Sequence, residues 1–268
     1  MKQRKRTLLL VGIITCLYAA NVVYAKMNTT RSSLAIIGYH HIVPDADKDQ
    51  YYKNTMWVAS LSSFEEQMEL LHREGYHTLT LDEVAAWKRG EKELKGKNVV
   101  LTFDDGFYST VKFAQPVLKR YGFQGSVFVI GSAINNQHGA YDPSIRQHAS
   151  LKDMEDQSTL RFYSHSYDLH KKESANGGFR VNALNKDQLR KDTRKEKALV
   201  SIQYYAYPYG KYNPLIQEVL EEEGVSLAFG FNENRKATRA DSDYGLPRFN
   251  VNAYTRLDVF QAMLDSEV

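Results

Sequence analysis

The sequence predicts a parallel α/β fold in a single domain, with its sheet open or closed into a barrel. Three observations predict it. Short apolar runs alternate with longer helix-like stretches from residue 34 almost to the C-terminus, the rhythm of strand–helix–strand units. Residues 99–103 (Val-Val-Leu-Thr-Phe) are apolar on both faces, as in a strand covered by helices on either side. No internal repeat, low-complexity tract or second compositional block interrupts the 268 residues.

The elements follow in order. Residues 34–39 read as the first strand. Residues 63–74 place Phe64, Met68, Leu70 and Leu71 on one helical face, with Ser62 or Ser63 as the cap. A strand over 76–79 precedes a helix over 81–89, capped by Thr80 or Asp82. The strand at 99–103 leads to a helix over 111–121, which Gly122 ends, and then to a strand over 126–130. The second half repeats the pattern. It has a short strand at 161–164, a charged helix at 186–200, a strand at 203–207, a helix at 214–223, a strand at 226–231 and a last helix at 257–264.

The N-terminus has its own logic. Lys2, Arg4, Lys5 and Arg6 precede an apolar run over residues 8–23, and Val23-Tyr24-Ala25 then offers small residues at the −3 and −1 positions of a cleavage site. Residues 1–25 therefore read as a signal peptide or an N-terminal membrane anchor, residues 26–33 as a polar linker, and 34–268 as the domain. On either reading the domain is secreted or lies on the outer face of the membrane, which it touches only through an uncleaved N-terminal segment. The one cysteine, Cys16, falls in this segment. The domain thus has no disulfide, thiolate metal site or cysteine nucleophile. Thirty-five basic against 32 acidic residues is too even a balance for a nucleic-acid partner.

In parallel α/β folds the chemistry collects at the C-terminal ends of strands, and the unusual polar residues fall there. Tyr39-His40-His41 ends the first strand. Asp104-Asp105-Gly106 follows the strand at 99–103, His165 and His170 follow that at 161–164, and Tyr207-Pro208-Tyr209-Gly210 closes that at 203–207. Asp-Asp-Gly is common turn chemistry. Alternatively, a cation compensates two carboxylates that would otherwise repel, one as a ligand and the other free as a base. The two histidines, five apart, suit neither one helix face nor one strand face and converge only if the chain bends after the strand. A His-His-Asp set leaves coordination positions open for water and substrate. A backbone N–H in the Pro208-Tyr209 turn could face a developing oxyanion.

Together these motifs resemble the NodB-type polysaccharide deacetylases of carbohydrate esterase family four. They are Thr102-Phe103-Asp104-Asp105-Gly106, His165-Ser166-x-x-x-His170 and Tyr207-Pro208-Tyr209-Gly210, in that order. Ile37-Gly38-Tyr39-His40-His41-Ile42-Val43 and the five-residue histidine spacing resemble the branch of intercellular-adhesin and poly-N-acetylglucosamine N-deacetylases. The resemblance spans roughly residues 34–265. It implies a distorted (β/α) barrel of about seven strands and hydrolysis of N-acetyl groups on an N-acetylglucosamine polymer. It further implies Asp104 as general base, Asp105, His165 and His170 as ligands of a divalent metal, commonly zinc, and the Tyr209 N–H, beside Pro208, as oxyanion donor.

The chain departs from the family pattern twice. Gln203, Tyr204 and Tyr205 stand where many members carry an arginine before the Pro-Tyr-Gly turn, and Arg248 is the candidate to orient Asp104 instead. The wider family's C-terminal Leu-x-His, whose histidine protonates the leaving amine, has no counterpart, since no histidine follows His170. His40 is the substitute by position, with a packing role as its alternative. Competing readings are a peptidoglycan or chitin-oligomer deacetylase and a non-catalytic carbohydrate-binding descendant. A pure binding site has no need for the spare carboxylate of Asp104. A glycoside hydrolase working with two carboxylates would leave His165 and His170 unexplained.

Overall fold

A computed structural model of the chain describes residues 30–173 and 178–267. Eight parallel strands form the body of a nine-stranded sheet: β1 (Ser33–Tyr39), β2 (Tyr76–Thr78), β3 (Lys97–Phe103), β4 (Gly125–Val129), β5 (Leu160–Ser164), β6 (Ser201–Ala206), β7 (Leu227–Phe229) and β8 (Phe249–Asn250), and the ninth, Ala237–Thr238, pairs antiparallel with the start of β1. Seven of them lie in the order β7-β6-β5-β4-β3-β1-β8, every neighbouring pair parallel. Strand β2 pairs with the first residues of β3. The sheet curls until its edges meet: Leu246 N–H donates to the Ala228 carbonyl and Gly230 N–H to the Leu246 carbonyl, both at 2.9 Å. The stretch from Leu246 into β8 therefore touches β7 at one end and β1 at the other, giving the expected distorted barrel.

The helices are α1 (Asp45–Tyr51), α2 (Leu61–Arg73), α3 (Leu81–Lys88), α4 (Gln115–Tyr121), α5 (Lys186–Lys197), α6 (Pro214–Glu222) and α7 (Leu257–Asp265). Strand alternation divides the core. Inward residues Leu34, Ile36, Val100, Phe128, Tyr163, Tyr204 and Phe229 form one cluster, which Trp87 and Val84 of α3 join. Outward residues Ile37, Leu101, Phe103 and Val127 pack with Phe64 and Met68 of α2, Leu118 of α4 and Phe260 of α7. Outward Tyr205 and Ala228 pack with Leu189 of α5 and Ile216 and Leu220 of α6. The sheet is covered on both faces, the reason its central strands read as unbroken apolar runs.

Several local expectations shift. Helix α2 starts two residues early, because the Ser60 side chain accepts the Ser63 N–H at 3.3 Å. Ser62 instead turns its backbone N–H to Asp45. Thr80 caps α3 in a full capping box with Glu83. The helix expected over 111–121 opens as a π-helical turn, Thr110–Ala114. Pro116 lacks the N–H that would bond back four residues and its ring would crowd that carbonyl, so the wider turn relieves both problems. The linker expected at 26–33 is partly structured: Thr30–Arg31 pairs antiparallel with Leu94–Lys95, and β1 begins at Ser33. Helix α1 and the parallel pair His41–Val43 with Val58–Ser60 appear where no element was expected. Helix α1 buries no residue and so carries no periodicity. The expected signal or anchor at 1–25, with Cys16, lies outside the described residues. Among those described, no helix is long and apolar enough to cross a membrane.

Trp87, fully buried among the inward side chains, holds α3 to the barrel. Trp87→Ala should lower stability by about 3–5 kcal/mol in equilibrium urea unfolding, the usual cost of emptying an indole-sized core site.

Candidate active site

Four strand ends and their loops enclose one cavity of ≈ 280 Å³, lined by His40, Asp104, Asp105, His165, His170 and Tyr209 together with His41, Thr55, Trp57, Val58, Phe107, Arg146 and Phe231. The alternation that sorts the core also delivers these residues. Asp104 continues the inward line of Val100 and Thr102 on β3, and His165 that of Tyr163 on β5.

Asp105 and Gly106 take the left-handed backbone region, φ 72° and 73°. That sharp turn swings Asp105 across to the histidines. Its Oδ1 lies 3.5 Å from His165 Nε2 and 3.4 Å from His170 Nε2, too long for good hydrogen bonds. The three candidate ligand atoms all lie within 4.8 Å of one another. His165 Nδ1–H donates to the Ala206 carbonyl at 2.8 Å, and because a carbonyl can only accept, Nε2 is left as a free lone pair. Burial pushes the His165 imidazole down to about 3, lowers that of His170, and pushes the Asp105 carboxyl up to about 6. Asp105 Oδ1 is buried with no hydrogen-bond partner. Two imidazole nitrogens and a carboxylate oxygen converge without good hydrogen bonds among them, and a divalent cation is the species that such a donor set fits.

Asp104 is bound differently. Both oxygens accept from Arg248, Nη1 to Oδ1 and Nη2 to Oδ2, each at 2.8 Å. Burial alone would raise this carboxyl. The Arg248 guanidinium, with smaller contributions from His165 and His40, holds it well below the usual carboxylate range. Arg248 is fully buried. Its Nε donates to the Gly230 carbonyl at 2.8 Å, and Nη1 also reaches Thr102 Oγ1 at 3.1 Å. Arg248 thus reaches Asp104 from the segment that closes the barrel.

His40 lines the cavity, with its ring 5.3 Å from Trp57 and 5.4 Å from Phe231. Its Nδ1 is buried without a hydrogen-bond partner. Tyr209 adopts φ 57°, follows the buried Pro208, and lays its ring on His170 at 4.2 Å between centroids. Trp57, Arg146 and Phe231 were not expected in the site. Phe231 follows β7 and could have been found by the strand-end rule. Trp57 and Arg146 sit in loops and carry no sequence signal. Removing the guanidinium while keeping bulk, as in Arg248→Met, strands a buried carboxylate, and about 3–5 kcal/mol of stability should be lost in urea unfolding at neutral pH.

A family model described as polysaccharide deacetylase matches residues 91–228. The poly-beta-1,6-N-acetyl-D-glucosamine N-deacetylase of Staphylococcus aureus (strain N315) is 28% identical over 202 residues, which are 73% of this chain and 68% of that protein. The Streptococcus pyogenes deacetylase PplD has the same fold, with a TM-score of 0.74 at 21% identity, covering 89% of this chain and 100% of that one. So does IcaB from Ammonifex degensii, with a TM-score of 0.72 at 24% identity over the same shares. The family match takes in just over half of the chain, including Asp104, Asp105, His165, His170 and Tyr209, and the chain belongs to the polysaccharide deacetylase family of hydrolases.

Proposed function

We propose that this deacetylase removes N-acetyl groups from poly-N-acetylglucosamine outside the cell, with a divalent cation, zinc by expectation, held by Asp105, His165 and His170. The convergence of the ligand atoms of Asp105, His165 and His170 beside the separately held carboxylate of Asp104 carries the reading. A bound cation would polarise the amide carbonyl and acidify the attacking water, so that even a weak base can take its proton. Asp104, kept ionised by Arg248, is that base. The Pro208-Tyr209 turn offers a backbone N–H to the developing oxyanion. The departing nitrogen needs a proton, because an amine anion is a very poor leaving group, and His40, which lines the cavity and has one buried ring nitrogen without a hydrogen-bond partner, is the donor. The choice of polymer is supported by the named Staphylococcus aureus relative and by the Gly38-Tyr39-His40-His41 motif. The extracellular setting is supported by the basic and apolar N-terminal stretch, which anchors the domain to the membrane only if it stays uncleaved.

The test is acetate release from poly-β-1,6-N-acetylglucosamine, chitin oligomers and peptidoglycan, each with and without chelator. Release mainly from the first, lost with chelator and restored by zinc, is expected. Chelator-insensitive turnover would overturn the metal reading, and preference for either other polymer would reassign the substrate.

Asp104→Asn should keep its metal while turnover drops by about 10² or more, whereas His165→Ala should lose both. Metal analysis beside acetate assays checks the pair, and the reverse pattern would mean that the two roles are exchanged. His40→Ala should lower kcat by about 10²–10⁴-fold with metal content unchanged. A kcat close to wild type would leave His40 a packing residue and return the proton to Asp104.

A further inference from the structure

His165 is placed by its strand, but His170 is not. It is reached through a four-residue turn, Ser166-Tyr167-Asp168-Leu169, that begins with Ser166 at φ 71°. A serine in the left-handed region is strained and persists only where its surroundings over-determine it. The turn's backbone groups show what does so. Ser166 N–H donates to Ser164 Oγ and Leu169 N–H to Ser166 Oγ, both at 3.1 Å. The carbonyls of Ser166 and Tyr167 accept from Gly131 and Ser132 N–H at 3.1 and 2.8 Å, just beyond β4. The two remaining amides, at the crown of the turn, go to one side chain: Tyr167 N–H to Asp192 Oδ2 at 2.9 Å and Asp168 N–H to Asp192 Oδ1 at 2.8 Å.

Asp192 projects from the buried face of α5, next to Leu189, Thr193 and Glu196, and is 8% exposed. The helix is fixed by Leu189 in the core and by the capping box of Asn185 and Gln188. It presses closely on the chain just beyond β4: a Cβ on Gly131 would come within 1.9 Å of Glu196 Oε2. A carboxylate bridging two successive amides from a rigid helix sets both the position and the tilt of the peptide units that carry His170.

We infer that Asp192 is a positioning residue of the metal centre, placing the His170 ring opposite Asp105 and His165 by clamping the turn between the two histidines. The inference rests on the metal-dependent reading above. Asp192 touches neither substrate nor metal, and it acts on the one ligand that no strand holds.

The test is metal affinity, read separately from turnover. Full-length wild type, Asp192→Asn, Asp192→Ala and the exposed control Asp187→Asn are stripped with chelator and titrated with zinc. They are then loaded with cobalt, whose visible absorption reports the ligand set. Asp192→Asn turns an N–H donor toward one of the two amides at almost unchanged volume. It should bind zinc about 10-fold more weakly and change the cobalt spectrum, and Asp192→Ala should lose about 10–100-fold. Asp187→Asn should match wild type. Should Asp192→Ala fail to fold, the near-isosteric Asp192→Asn decides. Wild-type affinity and an unchanged cobalt spectrum in Asp192→Asn would overturn the inference while leaving the metal centre intact. A wild-type protein that takes up neither ion would remove the metal reading itself, and this inference with it.

Discussion

The buried pair of Arg248 and Asp104 is the contact on which the rest of this molecule hangs. A carboxylate at the end of a central parallel strand is far too costly to desolvate unaided. Here both its oxygens are matched to a planar guanidinium, whose Nε and Nη1 also donate to the Gly230 carbonyl and Thr102 Oγ1. Three parts of the sheet are thereby joined at one point: β3 through Asp104, the residue after β7 through Gly230, and the closing segment through Arg248 itself. The same contact keeps Asp104 ionised and leaves Asp105, its sequence neighbour, to face the histidines. Two adjacent carboxylates with opposite environments is a common way for one site to hold two roles.

Strain collects where the chemistry is proposed. Among the described residues, five non-glycine positions take positive φ, and three of them, Asp105, Ser166 and Tyr209, belong to the three strand-end clusters around the cavity. Each lets the chain leave its strand at an angle a regular turn would not allow. Asp105 swings sideways, Ser166 starts the loop back to His170, and Tyr209 folds its ring onto that histidine. The other two, Asn232 and Asn234, are of a residue type that tolerates this region readily.

Much of this could be read in the sequence because it depends on local alternation. The apolar runs located the central strands to within a residue or two, and the polar residues just beyond them named Asp104, Asp105, His165 and His170. The illegible parts depend on distant contacts. Strand β8 is two residues long and exists because β1 is beside it. Arg248 could be named as a partner for Asp104, but its bidentate grip follows from barrel closure. Helix α1 buries nothing and leaves no pattern. Trp57, Arg146 and Asp192 look like ordinary loop or helix residues until the fold brings them to the cavity or its supporting turn.

Closure by the last segment also sets an order of events. Arg248 and Asp104 are 144 positions apart in the chain, and β1 meets β8 across an even longer stretch. Such contacts are slow to form, because a long loop must close before they stabilise anything. Until the segment around Leu246 and Arg248 docks, Asp104 can stay charged only by keeping water, so the upper barrel stays open and that carboxylate is not yet in its dry setting. Sealing of the sheet, loss of that water and assembly of the proposed catalytic centre are then a single cooperative step, and a chain stalled just short of it would hold most of its secondary structure and none of its activity.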